Sequence, residues 1–124
     1  MLRDLSLYPV LAASDIERAR AWYEQKLGLT PETEEAMGSL WYRTGDSWFL
    51  LYPTQVAGTA RNTVAHWTVP DIGAVMTELR GRGVVFEDYD FGNGMATVDG
   101  VIEFGGRSAA WFKDSEGNII ELTT

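Results

Sequence analysis

Two side chains have surroundings that could support chemistry: the single histidine, His66, and a carboxylate in an apolar segment, Glu121. An imidazole can pack as a hydrogen-bonded core residue, anchor a ligand or act as a general base, and all three roles stay open for His66. Glu121 lies beside Ile119, Ile120 and Leu122, so burying its charge costs free energy unless a partner or a wet cleft receives it. The alternative for Glu121 is a solvated acid on an edge strand.

The sequence offers little other catalytic chemistry. It contains no cysteine, which excludes a thiolate nucleophile, a thiolate metal site and a disulfide framework. Ser47, Ser108 and Ser115 lie in expected turns or strand starts and lack the nucleophile-elbow pattern. The glycines within 92–94 and 105–106 lack the strand–glycine–helix context of a phosphate loop. We therefore predict no catalytic residues.

The composition indicates one globular domain. The chain has 124 residues, 45% of them hydrophobic, and a formal charge of −8. A charge of this sign disfavours nucleic acid, and no apolar run is long enough for a membrane span or a signal peptide. We expect a soluble cytoplasmic protein with neither nucleic-acid nor membrane partners. The negative charge could attract a cationic small molecule, or it could serve solubility alone.

The elements that must position these side chains occur twice. A strand, an Asp-Ile helix start, an amphipathic helix and a glycine follow one another in residues 7–29 and again in 63–85, and each copy is followed by an aromatic hairpin. This repeat predicts two βαβββ modules, residues 1–60 and 61–124, within a single domain 1–124. The predicted fold is α+β, with the modules forming a curved, mostly antiparallel sheet around a cleft.

Local patterns predict the element bounds of the first module. Leu5–Ala12 is β-like, and Thr33–Met37 is a second, shorter candidate strand. Ser14 and Glu17 have the spacing of a capping box for the first helix, and Gly28 stands where a left-handed C-cap belongs.

In the second module, Asp71 is the predicted helix cap and Gly83 the stop. Val84–Phe86 should begin a strand. Residues 88–106 are rich in glycine and aspartate, which indicates a long hairpin or a loop over the cleft.

Aromatic side chains define the predicted binding cleft. Trp48, Leu50 and Tyr52 share one face of their strand, and His66 shares a face with Val64. Rings could stack on a flat ligand while an acid orients it, although they could also simply fill a small cavity. Trp22 and Trp67 are assigned to the core instead. The predicted ligand-binding residues are Tyr8, Trp48, Leu50, Tyr52, Val64, His66, Ile119 and Glu121.

Two segments carry recognisable patterns: Ser14-Asp15-Ile16…Ala19…Trp22-Tyr23…Leu27-Gly28-Leu29 and the terminal Asp114-Ser115-Glu116-Gly117-Asn118-Ile119-Ile120-Glu121-Leu122. These patterns resemble those of the vicinal oxygen chelate superfamily, which includes glyoxalase I, extradiol dioxygenases, fosfomycin-modifying enzymes and bleomycin resistance proteins. The order of elements extends the resemblance over nearly the whole chain. The stretch from Pro9 to Asp15 is similar to that of the bleomycin resistance branch.

The resemblance also implies where a metal would bind. Its metal-dependent members take ligands at positions that correspond here to Tyr8, Leu50, Val64 and Glu121, and only the last of these is an ordinary metal ligand. Adding His66 gives two ligands, one short of a usual catalytic site. We therefore predict no metal and no cofactor.

The leading interpretation is a metal-free protein that binds a small hydrophobic or aromatic, and in some cases cationic, molecule; antibiotic sequestration is the role that the resemblance suggests. One alternative is a metal-dependent lyase, isomerase or dioxygenase with a non-standard ligand set around His66 and Glu121. Another is a regulatory module whose cleft binds nothing.

Exposed strand edges and half-clefts predict a homodimer, and the sequence leaves open whether the modules pair within a chain or across the dimer.

Overall fold

The two predicted modules form two four-stranded sheets in a computed structural model that describes residues 1–124. The elements of module one are β1 (Val10–Ala13), α1 (Ile16–Trp22) with a π-helical extension (Tyr23–Leu27), β2 (Thr33–Glu34), β3 (Leu40–Thr44) and β4 (Ser47–Pro53). Those of module two are β5 (Thr63–Thr68), α2 (Ile72–Gly81), β6 (Asp90–Gly92), β7 (Met95–Ala96), β8 (Val101–Phe104), β9 (Arg107–Lys113) and β10 (Ile119–Thr123). A 3-10 turn, Leu2–Asp4, precedes β1.

Strand order is the same in both sheets. The first sheet runs β1-β4-β3-β2 and the second β5-β10-β9-β8, whereas β6 and β7 form a separate hairpin. In each sheet the pair β1–β4 or β5–β10 is parallel and the other pairs are antiparallel. The predicted α+β fold with two βαβββ modules is confirmed, as two mixed sheets.

The register shows which residues of the two modules are equivalent. Leu50 on β4 pairs with Trp41 and with Val10, while Glu121 on β10 pairs with Trp111 and with His66. The predicted correspondence of Leu50 with Glu121 therefore holds in the structure.

The helix caps follow the sequence at one helix and depart from it at the other. Asp71 caps α2 as predicted, accepting from the Ala74 amide at 3.0 Å. The capping box of Ser14 and Glu17 was wrong. Asp15 caps α1, and the Ser14 hydroxyl instead donates to Glu116, a carboxylate 102 positions away in sequence.

Three predicted strands are shorter in the structure or do not form. The first starts at Val10 rather than Leu5, because Pro9 has no amide hydrogen for a ladder. The strand predicted at Thr33–Met37 keeps two residues. No strand starts at Val84; its side chain is buried in the core, and only Phe86 forms an isolated bridge.

One hydrophobic core lies between the two sheets, and α1 contacts both of them. The Tyr23 ring is 5.5 Å from Tyr42 and 5.9 Å from Phe49 of the first sheet. The neighbouring Trp22 stacks on Phe112 of the second sheet at 6.2 Å. Trp22 and Trp67 pack against this core, as predicted. Each sheet thus turns one face inward to the helix layer and its other face outward.

The turn between β9 and β10, residues 114–118, joins module two to module one; we call it the closing turn. Asp114 accepts a hydrogen bond from the Tyr23 hydroxyl at 2.7 Å, and Asn118 donates to the Ala12 carbonyl at 2.8 Å. Glu116, whose side chain is fully buried, accepts from Arg18 Nε at 2.9 Å and from the Asp15 amide at 3.0 Å. These bonds join the closing turn of module two to module one. No helix of the chain is long and apolar enough to cross a membrane.

Candidate functional site

The outward faces of the two sheets carry most of the residues predicted to bind ligand. On the first sheet, alternation places Trp48, Leu50 and Tyr52 opposite the buried Phe49 and Leu51, and all three stay partly exposed. We call this surface the first open face. Tyr8, which precedes β1, packs edge-on against Trp41 of the same face with the ring centroids 5.4 Å apart.

The outward face of the second sheet, which we call the second open face, carries the polar groups His66 and Glu121. Glu121 lies on the face of β10 that is turned away from the buried side chains of Ile120 and Leu122. Its cross-strand partners are His66 on β5 and Trp111 on β9. The Glu121 side chain is only 20% exposed, and its nearest basic atom is His66 Nδ1 at 3.9 Å. This separation exceeds hydrogen-bond length, so Glu121 is a partly buried carboxylate without a close cationic partner.

Two other predicted residues lie on or near this face. Ile119 is partly buried on the same strand as Glu121. Val64 lies at an irregularity in the β5–β10 ladder, where Ile119 pairs with Thr63 and Ile120 with Ala65, and it packs against the core.

A groove of about 660 Å³ runs between the two modules. It brings together three of the predicted residues, Tyr8, Trp48 and His66, while the other five are not among its lining residues. Asp46, in the turn between β3 and β4, supplies a carboxylate to this groove. Sequence reasoning missed Asp46 because it reads as an ordinary turn residue.

The hairpin of β6 and β7 covers part of the second open face. Tyr89 and Phe91 pack against Trp111, with ring centroids 5.8 Å and 5.5 Å from it. Burial, together with the nearby Glu87 carboxylate, raises the pKa of Tyr89 above its usual value. The prediction of a hairpin or loop in residues 88–106 is confirmed for 90–96, and β8 extends the main sheet.

Trp111 was not among the predicted site residues. Its indole N–H donates to the Thr63 hydroxyl at 3.1 Å. Since β10 lies between β9 and β5, this bond holds the ring across β10, beside Glu121. The sequence signal was the equivalence of Trp111 with Trp41, which by itself does not show on which part of the face the ring rests.

The side chains present do not fit the metal site that some members of the vicinal oxygen chelate superfamily carry. Of the four implied positions, Tyr8, Leu50 and Val64 offer no charged donor, and Glu121 is the fourth. His66 adds a second donor, and no group of three histidine, cysteine, aspartate or glutamate side chains converges in this chain. Two donors fall short of the usual catalytic zinc set.

Comparison with known structures supports the same fold. A glyoxalase family protein from Enterococcus faecalis is 18% identical, with 100% of each chain covered and a TM-score of 0.72. A glyoxalase/bleomycin resistance protein from Catenulispora acidiphila is 20% identical, with 96% of each chain covered and a TM-score of 0.68. The fosfomycin resistance protein FosX from Listeria monocytogenes is 10% identical over 96% of this chain and 91% of its own, with a TM-score of 0.68. At such identities the likeness shows the fold.

Sequence comparison identifies the family. None of the curated proteins matches this sequence. The family profile described as Glyoxalase/Bleomycin resistance protein/Dioxygenase superfamily, however, matches residues 7–122, nearly the full length. The chain belongs to the glyoxalase/bleomycin resistance protein/dioxygenase superfamily.

Proposed function

We propose that this chain is a metal-free binding protein for a small hydrophobic or aromatic molecule that can carry a positive charge. The single observation that carries the proposal is Glu121, a partly buried carboxylate set beside aromatic rings without a close cationic partner. Partial burial of a charge costs free energy unless something pairs with it, and a cationic ligand would do so.

Aromatic rings supply the apolar part of the proposed site. Trp48 and Tyr52 stay partly exposed on the first open face, and Tyr8 with Trp41 extends the same surface. Exposed apolar patches with a polar group nearby are typical of ligand or partner sites. Sequestration of an antibiotic would be one use of such a site, as the name of the bleomycin resistance relative suggests.

A homodimer would complete this site. Within one chain the groove brings Trp48 of the first open face near His66 of the second, but Glu121 is not among its lining residues. The apolar N-terminal segment is also uncovered: Leu5, Leu7 and Val10 are 63%, 94% and 53% exposed. We therefore propose that the first open face of one copy meets the second open face of another, with the ligand between them.

The alternative function is a metal-dependent lyase, isomerase or dioxygenase. The adjacency of His66 and Glu121 favours it, because both side chains are ordinary metal ligands. Metal analysis of protein purified without a histidine tag separates the two functions. The binding function predicts well under one divalent ion per chain and a melting temperature that a chelator does not change. A tightly held stoichiometric ion would support the enzyme.

The binding function is tested by calorimetric titration with 1-naphthylmethylamine and 1-naphthylmethanol. These probes share one aromatic ring system and differ in charge. We expect saturable binding of both, with the amine binding more tightly. Absence of saturable binding for both probes would contradict the proposal.

A further inference from the structure

We infer that Trp111 is a further ligand-binding residue that acts together with Glu121 to select a protonated amine. The inference rests on the proposed function and narrows its ligand to an organic ammonium group attached to an apolar body. Trp111 contacts the cation in this assignment, and Tyr89 with Phe91 are positioning residues that orient the Trp111 ring.

The position of the indole is the first support. Trp111 pairs directly with Glu121, and the hydrogen bond to Thr63 draws the ring across β10. The ring therefore lies against the strand that carries the carboxylate. Its N–H is already engaged, so what it can offer a ligand is its π surface, which attracts cations.

The charges around the ring point to the same ligand class. The one lysine near this part of the sheet, Lys113, faces Glu87 at 3.9 Å, and His66 lies 3.9 Å from Glu121. Neither group forms a close ion pair with Glu121. An ammonium bound there would gain both the carboxylate and the π face, each of which favours a positive charge.

The other module supplies an internal comparison. Trp41 stands opposite Leu50 just as Trp111 stands opposite Glu121. The two rings thus have equivalent places in the repeat, but only Trp111 has a carboxylate beside it. The selectivity for charge should belong to Trp111 and not to Trp41.

Tyr89 acts through packing in this arrangement. Its hydroxyl is buried and has no hydrogen-bond partner, while its ring lies 5.8 Å from Trp111. Tyr89→Phe keeps the ring and should leave the affinity for the amine unchanged. Tyr89→Ala removes the support and should weaken the amine, with a change in the near-ultraviolet circular dichroism of the tryptophans that Tyr89→Phe does not show.

The deciding experiment is a double-mutant cycle of Trp111→Leu and Glu121→Gln in the intact protein, read by calorimetry with 1-naphthylmethylamine and 1-naphthylmethanol. We expect Trp111→Leu to lower the affinity for the amine roughly 3–30-fold and the affinity for the alcohol by less than about threefold. The losses of binding free energy from the two substitutions should be non-additive for the amine and additive for the alcohol, because both side chains contact the same ammonium group. Trp41→Leu is the matched control and should affect both probes alike.

The outcomes distinguish this inference from the proposed function. Equal losses for the two probes on Trp111→Leu, or additivity for the amine, would overturn the role of Trp111 while the binding function stands. Failure of the unsubstituted protein to bind both probes would overturn the proposed function and this inference with it.

Discussion

Glu121 is the residue on which the proposed binding function depends most. Its side chain is 20% exposed, and the residues on either side of it in β10, Ile120 and Leu122, are buried and apolar. Glu121→Gln keeps the shape and removes the charge, so it should weaken a cationic probe about tenfold or more and a neutral probe little. Calorimetric titration with the two naphthyl probes measures this difference.

Glu103→Gln is the control for that substitution. Glu103 lies on β8 of the same sheet and is exposed, so the variant loses the same unit of net charge away from the site. It should bind both probes like the unsubstituted protein. If Glu121→Gln treats the cationic and the neutral probe alike, the carboxylate has no orienting role.

Trp48 should contribute ring stacking rather than charge recognition. Trp48→Ala should weaken both probes by about 1–3 kcal/mol, comparable to the loss of one aromatic platform. His66→Gln should be milder, because its imidazole is half exposed and lies 3.9 Å from Glu121. Loss of a measured turnover on His66→Gln alone would favour the enzyme.

The sequence could predict which side chains share a face of a strand, but not which distant residues pack around them. Alternation along one strand placed Trp48, Leu50 and Tyr52 on a common face, since that pattern is local. The contact of Trp111 with Tyr89 depends on where a glycine-rich hairpin folds, and local propensity does not specify this. The groove position of Asp46 likewise depends on how the modules pack.

The closing turn, residues 114–118, fixes how the two modules are joined. Burial alone would raise the pKa of Glu116, but hydrogen bonds from Arg18, the Asp15 amide and Ser115 lower it to about 2. A carboxylate with a lowered pKa in the folded state stabilises the protein fully above its unfolded pKa. That contribution is lost as the pH falls toward the folded value.

Glu116→Gln should therefore lower the free energy of unfolding by roughly 1–3 kcal/mol at pH 7. The difference from the unsubstituted protein should shrink as the pH falls from about 5 toward 2, where Glu116 itself becomes protonated. Urea denaturation across this pH range measures it. Glu17→Gln, an exposed acid in the first turn of α1, should change stability by less than about 0.5 kcal/mol. A pH-independent difference would contradict the role assigned to Glu116.

Local sequence signals predicted the order of helices and strands, but not the contacts between residues distant in sequence. The repeat of helix starts and hairpins gave both modules, because hydrophobic periodicity and turn residues are local signals. The cap of α1 was misassigned because Glu116, distant in sequence, draws the Ser14 hydroxyl away from its own helix. Strand ends depended on the partners available, as the short β2 shows.

The partly exposed outer faces of the two sheets predict that the molecule assembles with a second copy. Two outward faces with exposed apolar residues would be better covered in a dimer of two-fold symmetry. We expect a homodimer at micromolar concentration, measured by light scattering. A monomer throughout that range would contradict the shared site.

Mixing two binding-deficient variants, Trp48→Ala and Glu121→Gln, tests directly whether two copies of the chain share one binding site. Each variant alone should bind 1-naphthylmethylamine weakly. After subunit exchange, about a quarter of all sites should regain full affinity, because half of the dimers are mixed and each mixed dimer has one site with both residues intact. Calorimetry of the exchanged mixture should show this fraction. Mixtures that bind no better than the separate variants would contradict a site shared between two copies.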